Sequence, residues 1–426
     1  MPWTSPISGH SRRSLRRWRP LLVALLAGGM TAALDAESLP IPLHAAVTHV
    51  QPLTGIVLWA DNSSCKTAPI QLEYIGLSYA EVIVGRDKYD WTALEKRLNN
   101  IAARRHQAVL RWHDTYVNEP TGVPAYIKAM PDYHETQGVS EKKPTGFPDW
   151  SHLELQRCVL EFFSQFAAKY DRDPRLAFME VGFGLWAEYH IYDGPMVLGR
   201  TFPSKTFQAT FARHLSKVFQ QTPWMISVDA AGDHTPFAGD RELLALRFGL
   251  FDDSFNHAGH TKENEPNWLT FGPDRWKTAP TGGEFSFFQK VDQSQALSPS
   301  GPHGVSFKQQ AAKFHISFMI GDAQPRHQTA DRIRSAGLAC GYRFAITEFR
   351  GDGKSFRVTV ANAGIAPIYH DAFVAINGAR AKESLKGLLP GEHRSFDIPA
   401  RGQTPVLTIE SDRLVPGQQI EYDADL

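Results

Sequence analysis

Residues 176–190 read LAFMEVGFGLWAEYH. Their first part, Leu176–Phe183, is a short apolar run interrupted only by Glu180, the length of a buried strand. Directly before it, Leu153–Tyr170 places Leu155, Val159, Phe162, Phe163 and Phe166 at helical spacing, a core-facing stripe. After it come Trp186, Glu188 and His190, polar or amphipathic groups in a loop that leaves a strand end. A helix feeding a buried strand that ends in a chemically equipped loop is the repeating unit of an α/β fold.

The same unit recurs on both sides. Gly55–Trp59, Ala80–Val84, Ala108–His113, Trp224–Asp229, Phe248–Phe251, Gly283–Phe288 and Phe314–Ile320 read as further strands. Trp91–Arg105, with Leu94, Leu98 and Ile101 in register, reads as a helix, as do Phe207–Gln220 and Lys308–Lys313. Eight strands alternating with helices over about 270 residues match a (β/α)8 TIM barrel. A doubly wound sheet is the rival topology, and no glycine-rich dinucleotide fingerprint follows the first strands. From about Leu338 the pattern changes to strands alone: Tyr342–Glu348, Ser355–Asn362, Ala372–Ile376, Glu392–Ile398 and Val406–Ile409. Turn signals such as Gly351-Asp352-Gly353 and Asn377-Gly378 separate them, which predicts a small C-terminal β-sandwich. The expected layout is a leader over 1–36, the barrel over 37–337 and the sandwich over 338–426.

The leader rests on five arginines and no acid in residues 1–19, followed by the uncharged run PLLVALLAGGMTAAL, Pro20–Leu34. That run is shorter than the roughly 20 residues a membrane span needs, and small residues follow it, which is the pattern of a secretory signal. Secretion or periplasmic export is expected, by the general secretory route rather than the twin-arginine one that Arg12-Arg13 loosely suggests. The chain has 426 residues, 45 basic and 45 acidic side chains and only 3 cysteines. Hydrophobic residues at 42% and charged residues at 21% exclude a disordered or collagen-like chain. The balanced charge argues against a nucleic-acid partner, and loss of the leader over 1–36, with five arginines and Asp35, would leave the mature chain at about −4, mildly acidic. No membrane partner is expected once the leader is removed. Cys65, Cys158 and Cys340 are too few for a disulfide scaffold; one pair could bridge, or all three could stay reduced. No Cys/His spacing matches a metal motif, so neither a metal nor a cofactor is expected.

In such barrels the chemistry lies where strands run into their following loops. Two carboxylates stand out there: Glu188 after strand 4 and Glu284 in TGGEFSFF at strand 7. Glycoside hydrolysis needs two carboxyl groups flanking the scissile bond, one protonated as acid and one acting as nucleophile or base. Trp186, Tyr189, Phe285 and Phe287 could desolvate a carboxyl and raise its pKa. Trp59, Trp112, Trp186 and Trp268 are candidate sugar platforms. Arg111, His113, His190, Asp229, Asp252 and His257 complete the expected substrate-binding set; Arg111 reads first as a buried arginine pairing with an acid, and with Glu284 near it could also keep a nucleophilic carboxylate ionised. Carbohydrate is the expected partner. Two other readings stand beside this one: a non-catalytic carbohydrate-binding barrel handling extracellular polysaccharide, and a metal-dependent hydrolase built on Asp252, Asp253 and His257.

The order of motifs resembles the domain-of-unknown-function 4832 family, whose members are similar to glycoside hydrolases and carry an immunoglobulin-like C-terminal domain. The similar segments are Lys88-Tyr89-Asp90-Trp91 with LEKRLNNIAARRHQAVLRW, Gly122–Tyr126, LAFMEVGFGLWAEYH, GGEF at strand 7 and Val360–Tyr369, VANAGIAPIY. The resemblance implies a retaining hydrolase with Glu188 as acid/base and Glu284 as nucleophile. Retaining barrel enzymes usually carry Asn before the acid/base; Ala187 stands there, which makes Glu180 the reserve.

Overall fold

The computed structural model describes residues 38–426; the leader read over 1–36 lies outside the described residues. Eight parallel strands close a barrel in chain order. They are β1 (Gly55–Trp59), β2 (Leu72–Ser78), β3 (Gln107–His113), β4 (Leu176–Val181), β5 (Trp224–Ser227), β6 (Gly249–Phe255), β7 (Thr281–Phe285) and β8 (Phe318–Ile320). Each pairs with its sequence neighbours, and β8 closes on β1 through Phe318–Gly55 and Ile320–Val57. The principal helices are α1 (Thr92–Ala103), α2 (Leu153–Tyr170), α3 (Lys205–Val218), α4 (Ala258–Thr270), α5 (Phe307–Phe314) and α6 (Ala330–Leu338). The (β/α)8 reading therefore holds. No helix among the described residues is long and apolar enough to cross a membrane.

Strand 2 is a correction. It runs over Leu72–Ser78, whereas Tyr79–Glu81 is a 3-10 turn and Ile83–Gly85 pairs with Lys88–Tyr89 in a small hairpin. The misleading residue is Glu73, which breaks the apolar run yet is fully buried. It is buried because Arg104 forms an ion pair with it and His106 Nδ1 lies 2.7 Å from Oε1. The expected strand over Phe314–Ile320 is also shorter: Phe314 ends α5, and His315 closes that helix in a left-handed conformation.

Inward-facing side chains fill the lower barrel. Val57, Leu72, Val109, Phe178, Met225, Phe251, Phe318 and Ile320 are buried in one cluster, with the Phe178 and Phe318 rings 5.1 Å apart. Each large side chain so buried contributes about 1.5–3 kcal/mol. Gly282 has to be glycine here, since a Cβ would stand 2.5 Å from the Phe318 ring.

The C-terminal strands form two sheets. The first contains β9 (Phe344–Gly351), β10 (Ser355–Asn362), β13 (His393–Pro399) and β15 (Tyr422–Asp425); the second contains β11 (Phe373–Ile376), β12 (Ala379–Arg380) and β14 (Leu407–Glu410). Val358, Val360, Phe396 and Ile398 from one sheet and Val374, Ile376, Leu407 and Ile409 from the other share a core, the sandwich expected from the alternation. The lead-in joins it, with Leu39–Pro40 pairing with β9 and His44–Ala45 with β15. This sandwich seals the N-terminal end of the barrel. Arg413 donates to the carbonyls of Asp171 (3.0 Å) and Leu176 (2.8 Å), and His370 Nε2 lies 3.1 Å from the Ala177 carbonyl. In the NAGIAPIY segment, Asn362 Nδ2 donates to the carbonyls of Ala366 and Leu388, so this motif shapes the junction rather than a site. The strand C-termini are left open at the opposite end. All three cysteines are buried free thiols, which removes the option of a bridge.

Candidate active site

The loop after β4 is folded back on itself under strain. Leu185 N–H donates to the His190 carbonyl (2.9 Å), Tyr189 N–H to Phe183 (2.9 Å) and Trp186 N–H to Thr115 (3.0 Å). Trp186, Ala187 and Tyr189 all have left-handed backbones, with φ of 53°, 63° and 62°. Such residues cost about 1–2 kcal/mol each and persist where packing over-determines them. Phe183, Leu185, Ala187 and Tyr189 are the anchors, each fully buried, and this turns Trp186, Glu188 and His190 into a cavity. Position 187 therefore points into the fold, so an asparagine there could not reach a sugar without a different loop. Gly182 permits the fold-back, since a Cβ on it would stand 1.8 Å from the Ala187 carbonyl oxygen. Gly182→Ala is expected to destabilise the protein by about 2 kcal/mol and to lower activity, because relief requires moving Glu188. Gly239→Ala, which meets nothing within 4 Å, is the matched control in thermal melts and assays.

A charged layer sits on top of the apolar barrel core. Arg111, 5% exposed, lies with its guanidinium 4.5 Å from the Phe251 ring centre and is surrounded by acids. It contacts Glu180 (2.6 Å), Asp253 (2.5 Å) and, at 3.5 Å, Glu188. The strand register explains the first contact, because Arg111 and Glu180 are directly paired across β3 and β4. Arg111 is ion-paired with Glu180, Asp253 and Glu188, and its charge also works to lower the Glu284 pKa, as expected, although burial and Asp253 outweigh it. His190 lies on the rim of this layer, with Nδ1 2.8 Å from Asp229 Oδ2 and Nε2 3.6 Å from Glu188 Oε2.

One guanidinium serves Glu180, Glu188, Asp253 and Glu284, so the acids cannot all ionise. Glu188 is pushed well above the ordinary carboxylate range, first by burial and next by Asp253, with Arg111 working the other way. Glu284 is raised well above it by the same burial and the same Asp253 charge. Burial also lifts Glu180 to about 7 and Asp252 to about 7.

The cavity at the mouth has a volume of about 850 Å³. Of the residues expected from the sequence, it collects Trp59, Arg111, Trp186, Glu188, His190, Asp229, Asp252 and Glu284. Three fall outside its lining. His113 is largely enclosed beside Tyr116, and burial lowers its pKa to about 4. His257 caps α4, accepting from His260 N–H at 3.1 Å. Trp268, on α4, packs against Phe314 on the barrel's outer side. Trp112 also points outward, fully buried against Phe162, and is no sugar platform; Tyr189 and Phe285 are likewise fully buried. The set Asp252, Asp253 and His257 does not assemble, since His257 is committed to its helix and Asp252 accepts from Asn264 Nδ2 at 2.8 Å. A different trio, Glu188, His190 and Asp229, brings ligand atoms within 4.8 Å of one another and could hold a cation, though Asp229 is already the acceptor for the His190 ring.

Tyr74, Tyr116, Tyr192, Glu141, His260, Glu263, Asn264 and Phe288 also line the cavity and were not foreseen. Tyr74 follows from the misplaced strand 2. Glu141 sits at the tip of the hairpin Thr136–Ser140/Lys143–Phe147 and accepts from the Tyr192 hydroxyl, a contact between loops that no local spacing encodes. Trp186 stacks on Tyr192 (5.9 Å, 26°) at one side of the mouth, and Phe287 and Phe288 are exposed at the other.

No family model and no curated protein matches the chain. Solved structures similar to it include the galactosidase domain of the α-galactosidase–sucrose kinase AgaSK, at 11% identity and TM-score 0.39 over 84% of this chain and 56% of that one. The GH36 α-galactosidase AgaA from Geobacillus stearothermophilus is similar at 9% identity and TM-score 0.37 over 82% and 55%. The α-amylase from Geobacillus thermoleovorans is similar at 10% identity and TM-score 0.36 over 84% and 100%. This chain thus spans little more than half the length of the two galactosidase chains. The barrel assignment rests on the strand pairing described above.

Proposed function

We propose that this chain is an exported glycoside hydrolase that cleaves O-glycosidic bonds of a poly- or oligosaccharide with retention. The observation that carries the reading is the pair Glu188 and Glu284, two carboxyls of raised pKa in one aromatic-walled cavity at the barrel mouth. The two interact, so their protons leave in separate steps that belong to the pair. The chemistry needs one carboxyl neutral and the other ionised. Ionised Glu284 attacks the anomeric carbon while protonated Glu188 gives its proton to the leaving oxygen; the glycosidic C–O bond breaks and a glycosyl ester forms. Glu188, now ionised, takes a proton from water, whose oxygen displaces Glu284 and frees the sugar. The His190–Asp229 pair holds its imidazole beside Glu188, with Nε2 3.6 Å from Oε2.

The test is hydrolysis of a panel of aryl glycosides and oligosaccharides by the full chain, with the first-formed anomer read by proton NMR. Retention of configuration is expected. Inversion would reject the nucleophile role of Glu284, and binding of sugars without turnover over days would reject the hydrolase reading in favour of a carbohydrate-binding barrel.

A further inference from the structure

Besides the reacting pair, Glu141, Asp229, Asp252, Asp253 and Glu263 line the cavity. Against these acids the lining supplies no lysine and a single arginine, with His190, already paired to Asp229, and His260 as its other basic side chains. Among the described residues only Asp253 of the five pairs with that arginine, which Glu180 and Glu188 already share. The acids are not spread evenly: Asp229 follows β5, Asp252 and Asp253 lie within β6, and Glu263 projects from the next helix, so one wall carries four carboxyls beside Ser254, His260 and Asn264. Asp253 has a side chain only 6% exposed, and its buried Oδ1 accepts from no donor among the described residues. A buried acceptor without a donor is costly, and a ligand that donates relieves it.

A neutral sugar brings hydroxyl donors but no charge, and by displacing water it strengthens the repulsion among the acids. A uronate or a sulfated sugar adds to it. A sugar ammonium supplies both donors and the missing positive charge. We propose that the cavity selects glycans bearing a free amine, with the ammonium of an amino sugar facing the Asp229–Asp253–Glu263 wall. This rests on the glycosidase reading for the position of the sugar but not for its charge.

The experiment is calorimetric titration of the full chain at about pH 6 with methyl glucosaminides and galactosaminides of both anomers. Their N-acetyl derivatives and the parent neutral glycosides are compared, and hydrolysis of the matched oligosaccharides is followed separately. The amines are expected to bind about tenfold tighter or better, with the advantage shrinking as salt rises. It should also shrink in Glu263→Gln and Asp229→Asn. Equal or weaker binding of the amines, or no binding of any of them, overturns the proposal. Turnover of neutral glycans without amine preference overturns it while leaving the hydrolase standing. Salt-sensitive amine selectivity without turnover supports it and removes the hydrolase instead.

Discussion

Glu284→Gln is expected to lower kcat by on the order of 10⁴-fold or more on every glycoside, because the group that forms the covalent bond is lost. The fold should survive, since the amide keeps the shape of a side chain that is not completely enclosed and is neutral when protonated. Glu188→Gln should behave differently. It should lose on the order of 10³-fold on sugar leaving groups, which must be protonated, and far less in the first step on a dinitrophenyl glycoside, which departs without a proton. The pH profile gives an independent check. Burial and Asp253 hold the Glu188 pKa up, so the acid form persists toward neutral pH and activity falls as pH rises through that value. Glu284→Gln also removes a neighbouring like charge, so Glu188 in that variant should titrate lower, visible by carboxyl-resolved NMR. Equal losses for both variants on both leaving-group classes would sink the division of roles.

What the chain disclosed in advance follows from which signals are local. Leu153–Tyr170 and Ser355–Asn362 match their expected bounds because each buries one face, and the apolar period records that face directly. α4 was not expected: in AGHTKENEPNWLT only Trp268 and Leu269 are large and apolar, so no stripe marks the helix. Tyr422–Asp425 carries acids on a strand that joins the sheet by parallel pairing with β9, again without an apolar period. At the site, Glu188 was legible from its position after β4 and Glu284 from its place near the C-terminal end of β7. Asp253 was legible only as a metal candidate, because its contact with Arg111 spans more than a hundred residues and is set by barrel closure. Trp112 was misassigned because adjacent residues in a strand face opposite ways: Arg111 looks into the barrel and Trp112 into the helical layer.

Arg111→Leu is expected to destabilise the protein by about 3–5 kcal/mol at neutral pH, the range for removing one partner of a buried ion pair. Glu180 has no exposed surface, so it could not recruit water to replace the guanidinium. The loss should depend on pH in a defined direction. Glu180 already sits at about 7 with Arg111 present, so its folded-state pKa is above its unfolded value. A carboxyl raised in this way gives its full stability below the unfolded pKa and loses it as pH rises through the folded one. Without Arg111 the folded value rises further, so the window of loss extends to higher pH. The gap between wild type and variant in urea unfolding should therefore be small near pH 5 and widen toward pH 8. Arg111→Leu combined with Glu180→Leu should recover part of the loss at pH 8, since the second change removes a stranded charge. A gap that stays constant from pH 5 to pH 8 would mean that Arg111 acts through packing against Phe251 alone, and that the acids above the core do not depend on its charge.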